Sequence, residues 1–126
     1  MKKLILIVDD EDLVIRSIQK LLMRAGYEAI IARSGEEALG LIQSQHVDLI
    51  VCDVRMPGMN GVETLKRIRD MHKAGSRPQP REILITGYAE DNVNQEAEAL
   101  QVADYIYKPF DLREFLACVK KNLEGG

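Results

Sequence analysis

The chain has 126 residues, of which 46% are hydrophobic and 29% charged, and its formal net charge is -3 at pH 7. This length favours one domain over residues 1–126, with a substantial core and no room for a second domain. The negative charge argues against nucleic-acid binding by this chain itself, because phosphate binding needs a clustered basic surface and the sequence shows none.

The amino-terminal MKKLILIVDD is predicted to be a first strand rather than a signal peptide, because acids follow its short apolar run and no small-residue cleavage site is present. No segment approaches the ~20 apolar residues that cross a bilayer. Cys52 and Cys118 lie far apart in apolar periodic segments, which indicates reduced, buried thiols in a cytosolic protein rather than a disulfide.

The first third of the chain is predicted to form two strand–helix pairs. Unbroken apolar character indicates a central strand over residues 4–8, and residues 28–32 form a second short strand. Gly26 is placed just past the end of the first helix, and Ser34 with Glu37 forms a capping box for the second. The predicted buried face of the first helix consists of Val14, Ile18, Leu21, Leu22 and Ala25. That of the second helix consists of Ala38, Leu39 and Ile42.

The middle of the chain repeats this pattern. Residues 49–52 are predicted to be a buried strand that ends in Asp53, and Asn60 with Glu63 marks the start of a third helix. Residues 72–82 contain one glycine and two prolines, so we interpret them as a loop and a tolerated surface insertion. The inner face of the third helix is Val62, Leu65 and Ile68, and the two histidines, His46 and His72, are predicted to lie at the surface.

The last third contains two further pairs. Strands are predicted over residues 83–85 and 103–107, and the helix between them, residues 89–101, has few large apolar side chains, which suggests a weakly anchored helix that can shift. Asp111 and Glu114 begin the final helix in a D-x-x-E pattern. The predicted apolar contacts are Val93, Ala97 and Leu100 in the fourth helix and Leu112, Phe115, Leu116, Val119 and Leu123 in the fifth.

Five strand–helix units in succession predict a parallel sheet with helices on both faces. Asp9, Asp10, Asp53 and Lys108 all follow predicted strands, so they should meet at the carboxyl edge where such sheets bind ligands. Three neighbouring carboxylates need a compensating charge, and Mg2+ suits an all-oxygen site without nearby cysteine or histidine. With that charge offset, a carboxylate could attack phosphorus. Each acid could alternatively cap a helix or fill a turn.

The motifs VDDE, VCDVRMPGMNG, TGYA and YIYKPF, at the first, third, fourth and fifth strand ends, resemble those of the receiver domain of two-component response regulators. The similarity covers essentially the whole chain. It implies a doubly wound five-stranded sheet of flavodoxin-like order 2-1-3-4-5. It also implies a cytoplasmic phosphorelay signalling domain, which is no enzyme beyond its own phosphoryl transfer and slow autodephosphorylation.

The resemblance further implies that Asp53 is the phosphoacceptor for the phosphohistidine of a sensor histidine kinase or phosphotransfer protein. Asp10 would bind Mg2+ directly and Asp9 through water, and the backbone carbonyl of Arg55 would add a ligand. Lys108 would hold a phosphoryl oxygen as a compact charge and would precede a cis peptide bond to proline.

The same resemblance implies a switch. Thr86 would turn its hydroxyl onto the phosphoryl group and Tyr105 would move inward behind it, although Tyr107 could share that role. Helix four, strand five and helix five would then present a changed face to a partner protein or output domain. Arg55 and Tyr88 flank the route of attacking water and are predicted to set the dephosphorylation rate.

Three alternatives remain at this point. A hydrolase of the haloacid dehalogenase type would need a second acid where Arg55 stands, and a flavodoxin would need a phosphate loop where Asp9, Asp10 and Glu11 stand. A degenerate receiver would act as an interaction module without phosphorylation. The sequence also leaves open whether the chain is a stand-alone receiver or part of a longer regulator.

Overall fold

The computed structural model describes residues 2–87 and 91–124, apart from the side chains of residues 91–94. Strands and helices alternate through the described chain, as the sequence predicts. The strands are β1 (Leu4–Val8), β2 (Glu28–Ala32), β3 (Leu49–Asp53), β4 (Arg81–Thr86) and β5 (Asp104–Tyr107). The helices are α1 (Asp12–Arg24), α2 (Gly35–Ser44), α3 (Gly61–Ala74), α4 (Asp91–Leu100) and α5 (Leu112–Leu123).

The five strands form one parallel sheet in the order β2-β1-β3-β4-β5, which confirms the predicted topology. The central strand β3 is buried at every position, as expected of a parallel strand covered on both faces. All five carboxyl ends lie at the same edge of the sheet. That edge therefore gathers whatever polar residues follow the strands.

Two apolar layers cover the sheet, one on each face. Alternate residues of β3 point to opposite faces, so Ile50 and Cys52 join the layer formed with α2, α3 and α4, whereas Leu49 and Val51 join the layer formed with α1 and α5. Apolar burial on both faces is the main stabilising contribution to such a sheet. The predicted helices on both faces are confirmed.

The predicted helix caps are also confirmed. Side-chain oxygens at three N-caps accept hydrogen bonds from backbone N–H groups three residues on, which satisfies donors that the first turn leaves unpaired. Gly26 follows α1 with a φ of 94°, a conformation that glycine adopts without strain. The cap pairs are Ser34 with Glu37, Asn60 with Glu63, and Asp111 with Glu114.

The loop between α3 and β4 is shorter than predicted. Helix α3 continues to Ala74 and β4 already begins at Arg81, so only residues 75–80 lie between them. The prediction that His72 lies at the surface was wrong: its side chain is 1% exposed, and Nδ1 donates to the backbone carbonyl of Ile68 at 2.9 Å. His46 is exposed, as predicted.

Smaller differences concern element ends and two side chains. Leu112, the first residue of α5, is 43% exposed rather than buried. Cys52 is buried but Cys118 only half-buried, and both are free thiols. In α4, Ala97 and Leu100 are buried as predicted; the predicted first residues 89–90 and the side chain of Val93 lie outside the described residues. None of the helices described is long and apolar enough to cross a bilayer.

Candidate functional site

The structure brings together polar residues at the carboxyl ends of β1, β3 and β5. Val8 pairs with Cys52 in the sheet, so Asp9 and Asp10 emerge beside Asp53. Ligand oxygens of these three aspartates all lie within 4.8 Å of one another. Lys108 reaches the same point from β5, with Nζ 2.8 Å from Asp53 Oδ2. The site is thus a carboxylate cluster with an ammonium group at its rim.

Asp53 is 2% exposed and both of its oxygens are engaged. Oδ1 accepts a hydrogen bond from the backbone N–H of Arg55 at 3.1 Å, and Oδ2 accepts one from Lys108. Burial raises the pKa of Asp53, although Lys108 works against that rise. The carboxylate is therefore held in a fixed orientation by groups that favour its charged form.

Asp9 is fully buried, whereas Asp10 is exposed. Asp9 Oδ1 accepts from the backbone N–H of Glu11 at 2.9 Å, but Oδ2 has no hydrogen-bond partner among the residues described. Burial, with repulsion from Asp53, raises the pKa of Asp9 to about 6. A buried oxygen without a donor, within a cluster of carboxylates, fits a hard divalent cation such as Mg2+.

The loop after Asp53 is fixed by close backbone packing. Gly61 donates its N–H to the carbonyl of Val54 at 2.9 Å, and a Cβ on Gly61 would lie 2.2 Å from the carbonyl oxygen of Asp53. Any side chain at this position would displace the Asp53 backbone. The loop carries Arg55, which is exposed, while Tyr88, the other predicted rate-setting residue, lies outside the described residues.

Thr86 ends β4, one residue beyond the partner of Asp53 in the sheet. Its side chain is buried and its hydroxyl donates to the carbonyl of Gly87 at 3.1 Å. Its own carbonyl accepts the backbone N–H of Lys108 at 2.8 Å. Lys108 also precedes a cis peptide bond to Pro109, as the resemblance implies.

Sequence reasoning missed one residue of the site, Glu11. Its Oε1 lies 3.1 Å from Lys108 Nζ, so Lys108 is shared between Glu11 and Asp53. Burial acts to lower the pKa of Lys108, but its hydrogen bonds with Asp53 and Glu11 raise it overall. Glu11 directly follows Asp10, a position that could have suggested it, but the reach of a long side chain cannot be read from spacing.

The two tyrosines of β5 differ. Tyr105 is half-buried and its hydroxyl donates to the carbonyl of Ala97 in α4 at 2.8 Å, whereas Tyr107 is 61% exposed. Tyr105 is therefore the tyrosine that ties β5 to α4.

Two surface grooves adjoin the loop after β5. The α1–α5 groove, of about 410 Å³, is lined by Lys108, Glu11 and the 80% exposed Leu13 on α1. The β5–α5 groove, of about 470 Å³, runs along β5 past Tyr107 and Cys118. Pro109 lines both grooves.

Comparison with known proteins identifies the family. The model of the response regulator receiver domain matches residues 5–120. The chain belongs to the response regulator receiver family. This receiver is 33% identical over 123 residues to sporulation initiation phosphotransferase F of Bacillus subtilis, covering 98% of this chain and 95% of that protein. It is 39% identical to the regulatory protein AtoC of Escherichia coli, covering 95% of this chain but only 25% of that protein.

Solved structures agree with the family assignment. A CheY-like receiver from Methanospirillum hungatei superposes with a TM-score of 0.87 at 33% identity, over 99% of this chain and 96% of that one. The chemotaxis protein CheY4 of Vibrio cholerae gives a TM-score of 0.86 at 28% identity, over 98% and 100% of the two chains. A receiver is a signalling domain rather than a classical enzyme, so the family decides against the hydrolase and flavodoxin alternatives.

Proposed function

We propose that this receiver, as a single domain over residues 1–126, accepts a phosphoryl group on Asp53 and signals by changing the surface of α4, β5 and α5. The donor is the phosphohistidine of a sensor histidine kinase or phosphotransfer protein. The recipient is a downstream partner protein or an output domain, and the setting is the cytoplasm. The observation that carries the proposal is the buried Asp53 carboxylate, held by Lys108 within a cluster of acids.

The transfer is a displacement at phosphorus. A carboxylate oxygen of Asp53 forms the new P–O bond, the P–N bond to the donor histidine breaks, and its electron pair stays on the imidazole nitrogen. The Arg55 N–H and Lys108 keep the carboxylate oriented for this attack. Lys108 then follows the negative charge onto the phosphoryl oxygens.

Asp9, Asp10 and Asp53, with the backbone carbonyl of Arg55, would hold Mg2+. When bound, the ion offsets the repulsion between the acids and the incoming phosphoryl oxygens. The buried Oδ2 of Asp9 supports this assignment, because it receives no hydrogen bond from the described residues.

The switch involves Thr86 and Tyr105. The Thr86 hydroxyl is close enough in the sheet to turn toward a phosphoryl group on Asp53, since it lies one residue beyond the paired Ile85. Tyr105 holds α4 through Ala97, so its inward movement would release that contact. The phosphoryl group shifts the population toward the released state because it interacts with Thr86 only there.

The α1–α5 groove supports docking of the donor. Lys108, which binds Asp53, lines this groove together with Glu11, and so do the exposed Leu13 and Leu112. Large apolar side chains at such a position are typical of a protein contact. We assign the groove to the helix that carries the donor histidine.

Incubation with Mg2+ and acetyl phosphate tests the proposal, with intact mass as the readout. The native chain should gain one phosphoryl group, and Asp53→Asn should gain none. Omission of Mg2+ should also prevent the gain. A native chain that stays unmodified would instead favour the degenerate receiver that acts without phosphorylation.

A further inference from the structure

Glu11 occupies the N-cap position of α1 without acting as a cap. Its side chain makes no cap hydrogen bond with the first turn of α1, although its backbone carbonyl accepts the N–H of Ile15 at 3.0 Å. The backbone N–H of Glu11 is bound by Asp9 Oδ1, and its carboxylate turns to Lys108 at 3.1 Å. The residue is thus fixed to the acid cluster through its main chain and to the ammonium group through its side chain.

Lys108 is held between two carboxylates that differ in solvent exposure. Asp53 is nearly inaccessible, whereas the Glu11 side chain is 58% exposed and that of Lys108 27% exposed. A phosphoryl group on Asp53 would bring new oxygens to Lys108, and Glu11 would compete with them for the same three N–H donors. The Glu11 carboxylate would also repel those oxygens directly.

We propose that Glu11 is a positioning residue: it shares the Lys108 ammonium with Asp53 in the unphosphorylated protein and competes with a phosphoryl group for it afterwards. This inference rests on the proposed function and adds to it a residue that weakens the hold of the site on its phosphoryl group. Glu11 acts through Lys108 and is not itself a catalytic residue.

The test compares Glu11→Gln with the native chain in fluoroberyllate binding in the presence of Mg2+. Loss of an exposed charge pair changes affinity by about two- to fivefold, so Glu11→Gln should bind fluoroberyllate tighter by that factor. Asp12→Asn is the matched control, because Asp12 is the next acid in the chain and pairs with Arg33 instead of Lys108. Its affinity should equal that of the native chain.

A second readout is the 15N signal of the Lys108 ammonium group in metal-free, unphosphorylated protein. It should move in Glu11→Gln and stay in place in Asp12→Asn. An unchanged signal, or equal fluoroberyllate affinities for the two variants, contradicts the role of Glu11 but leaves the proposed function intact. A native chain that binds no fluoroberyllate contradicts the proposed function and this inference together.

Discussion

The burial of Asp9 in the site lowers the stability of the folded protein at neutral pH. Because burial raises its pKa to about 6 from an ordinary 3.8, the folded protein keeps a proton on Asp9 over a pH range in which the unfolded chain has lost it. The folded state therefore binds more protons between these values, and stability from this group falls as the pH rises from about 4 to about 6.

Asp9→Asn should accordingly stabilise the metal-free protein by about 1–3 kcal/mol at pH 7, with the gain shrinking toward pH 4. Urea unfolding across that pH range measures it. Asp10→Asn is the control, since Asp10 is the neighbouring acid of the cluster and is exposed. A gain that is the same at pH 4 and pH 7 would show that the charge of Asp9 is not the cause.

Arg55 is a second single residue near Asp53 whose replacement has an expected effect. Its long side chain is exposed two residues after Asp53, and we propose that it flanks the route by which water would reach a phosphoryl group there. Arg55→Ala should shorten the lifetime of the phosphorylated form severalfold, because it opens that route. The lifetime is measured by the decay of the phosphorylated mass after acetyl phosphate is removed. An unchanged lifetime would remove Arg55 from the rate-setting role, which we propose for Tyr88 as well.

Among the elements, α3 and β4 are joined by an ion pair between a partly exposed arginine and a buried glutamate, which the sequence did not reveal. Both oxygens of Glu82 accept hydrogen bonds from Arg69 Nε, at 3.1 and 3.0 Å, and Glu82 is only 6% exposed. A carboxylate at this depth depends on its partner, because an unpaired buried charge is far more costly than a paired one.

Arg69→Ala should therefore destabilise the protein by about 3 kcal/mol, because it leaves Glu82 buried and unpaired. Arg67→Ala, on the same helix, removes an exposed pair with Glu63 and should cost about 0.5 kcal/mol or less. Chemical denaturation compares the two. Equal losses would mean that helix propensity, rather than the buried pair, determines the effect.

The element ends show where sequence reasoning reaches its limit. Gly75 and Pro80 are the first and last residues of the loop after α3, but the prediction extended the loop beyond them into the last turn of α3 and the start of β4. The burial of His72 could have been inferred, since it follows Leu65 and Ile68 at helical spacing, but its polarity suggested exposure. Leu112 has the right spacing for burial, yet it is 43% exposed while Phe115 in the same turn is fully buried, a difference that spacing alone does not predict.

At the scale of the molecule, alternation of strands and helices was enough to predict a parallel sheet and the gathering of acids at its carboxyl edge. The strand order came only from the resemblance, because periodicity does not say which strands are neighbours. The contact between Glu11 and Lys108 depends on side-chain reach across 97 residues of sequence and could not be predicted from local pattern.

Docking of the donor protein involves the surface of the whole domain and can be tested by substitution of Leu13. With a histidine phosphotransfer domain chosen because it phosphorylates the native chain, Leu13→Gln should slow transfer by about fivefold, through loss of roughly 1 kcal/mol of apolar burial. Phosphorylation by acetyl phosphate should not change. Met23→Gln, at the other end of α1 and 60% exposed, is the control. If Leu13→Gln slowed phosphorylation equally with the phosphotransfer domain and with acetyl phosphate, Leu13 would affect the site itself and not docking.

The position of Pro109 has a consequence for the order of events. This residue lines both grooves, and we propose that a donor in the α1–α5 groove and a recipient that reaches the β5–α5 groove would overlap there. Donor and recipient would then visit the domain in turn instead of forming a three-way assembly. Each donor would be free to load the next copy as soon as the first departs, so that a few sensors could charge a large pool of messengers.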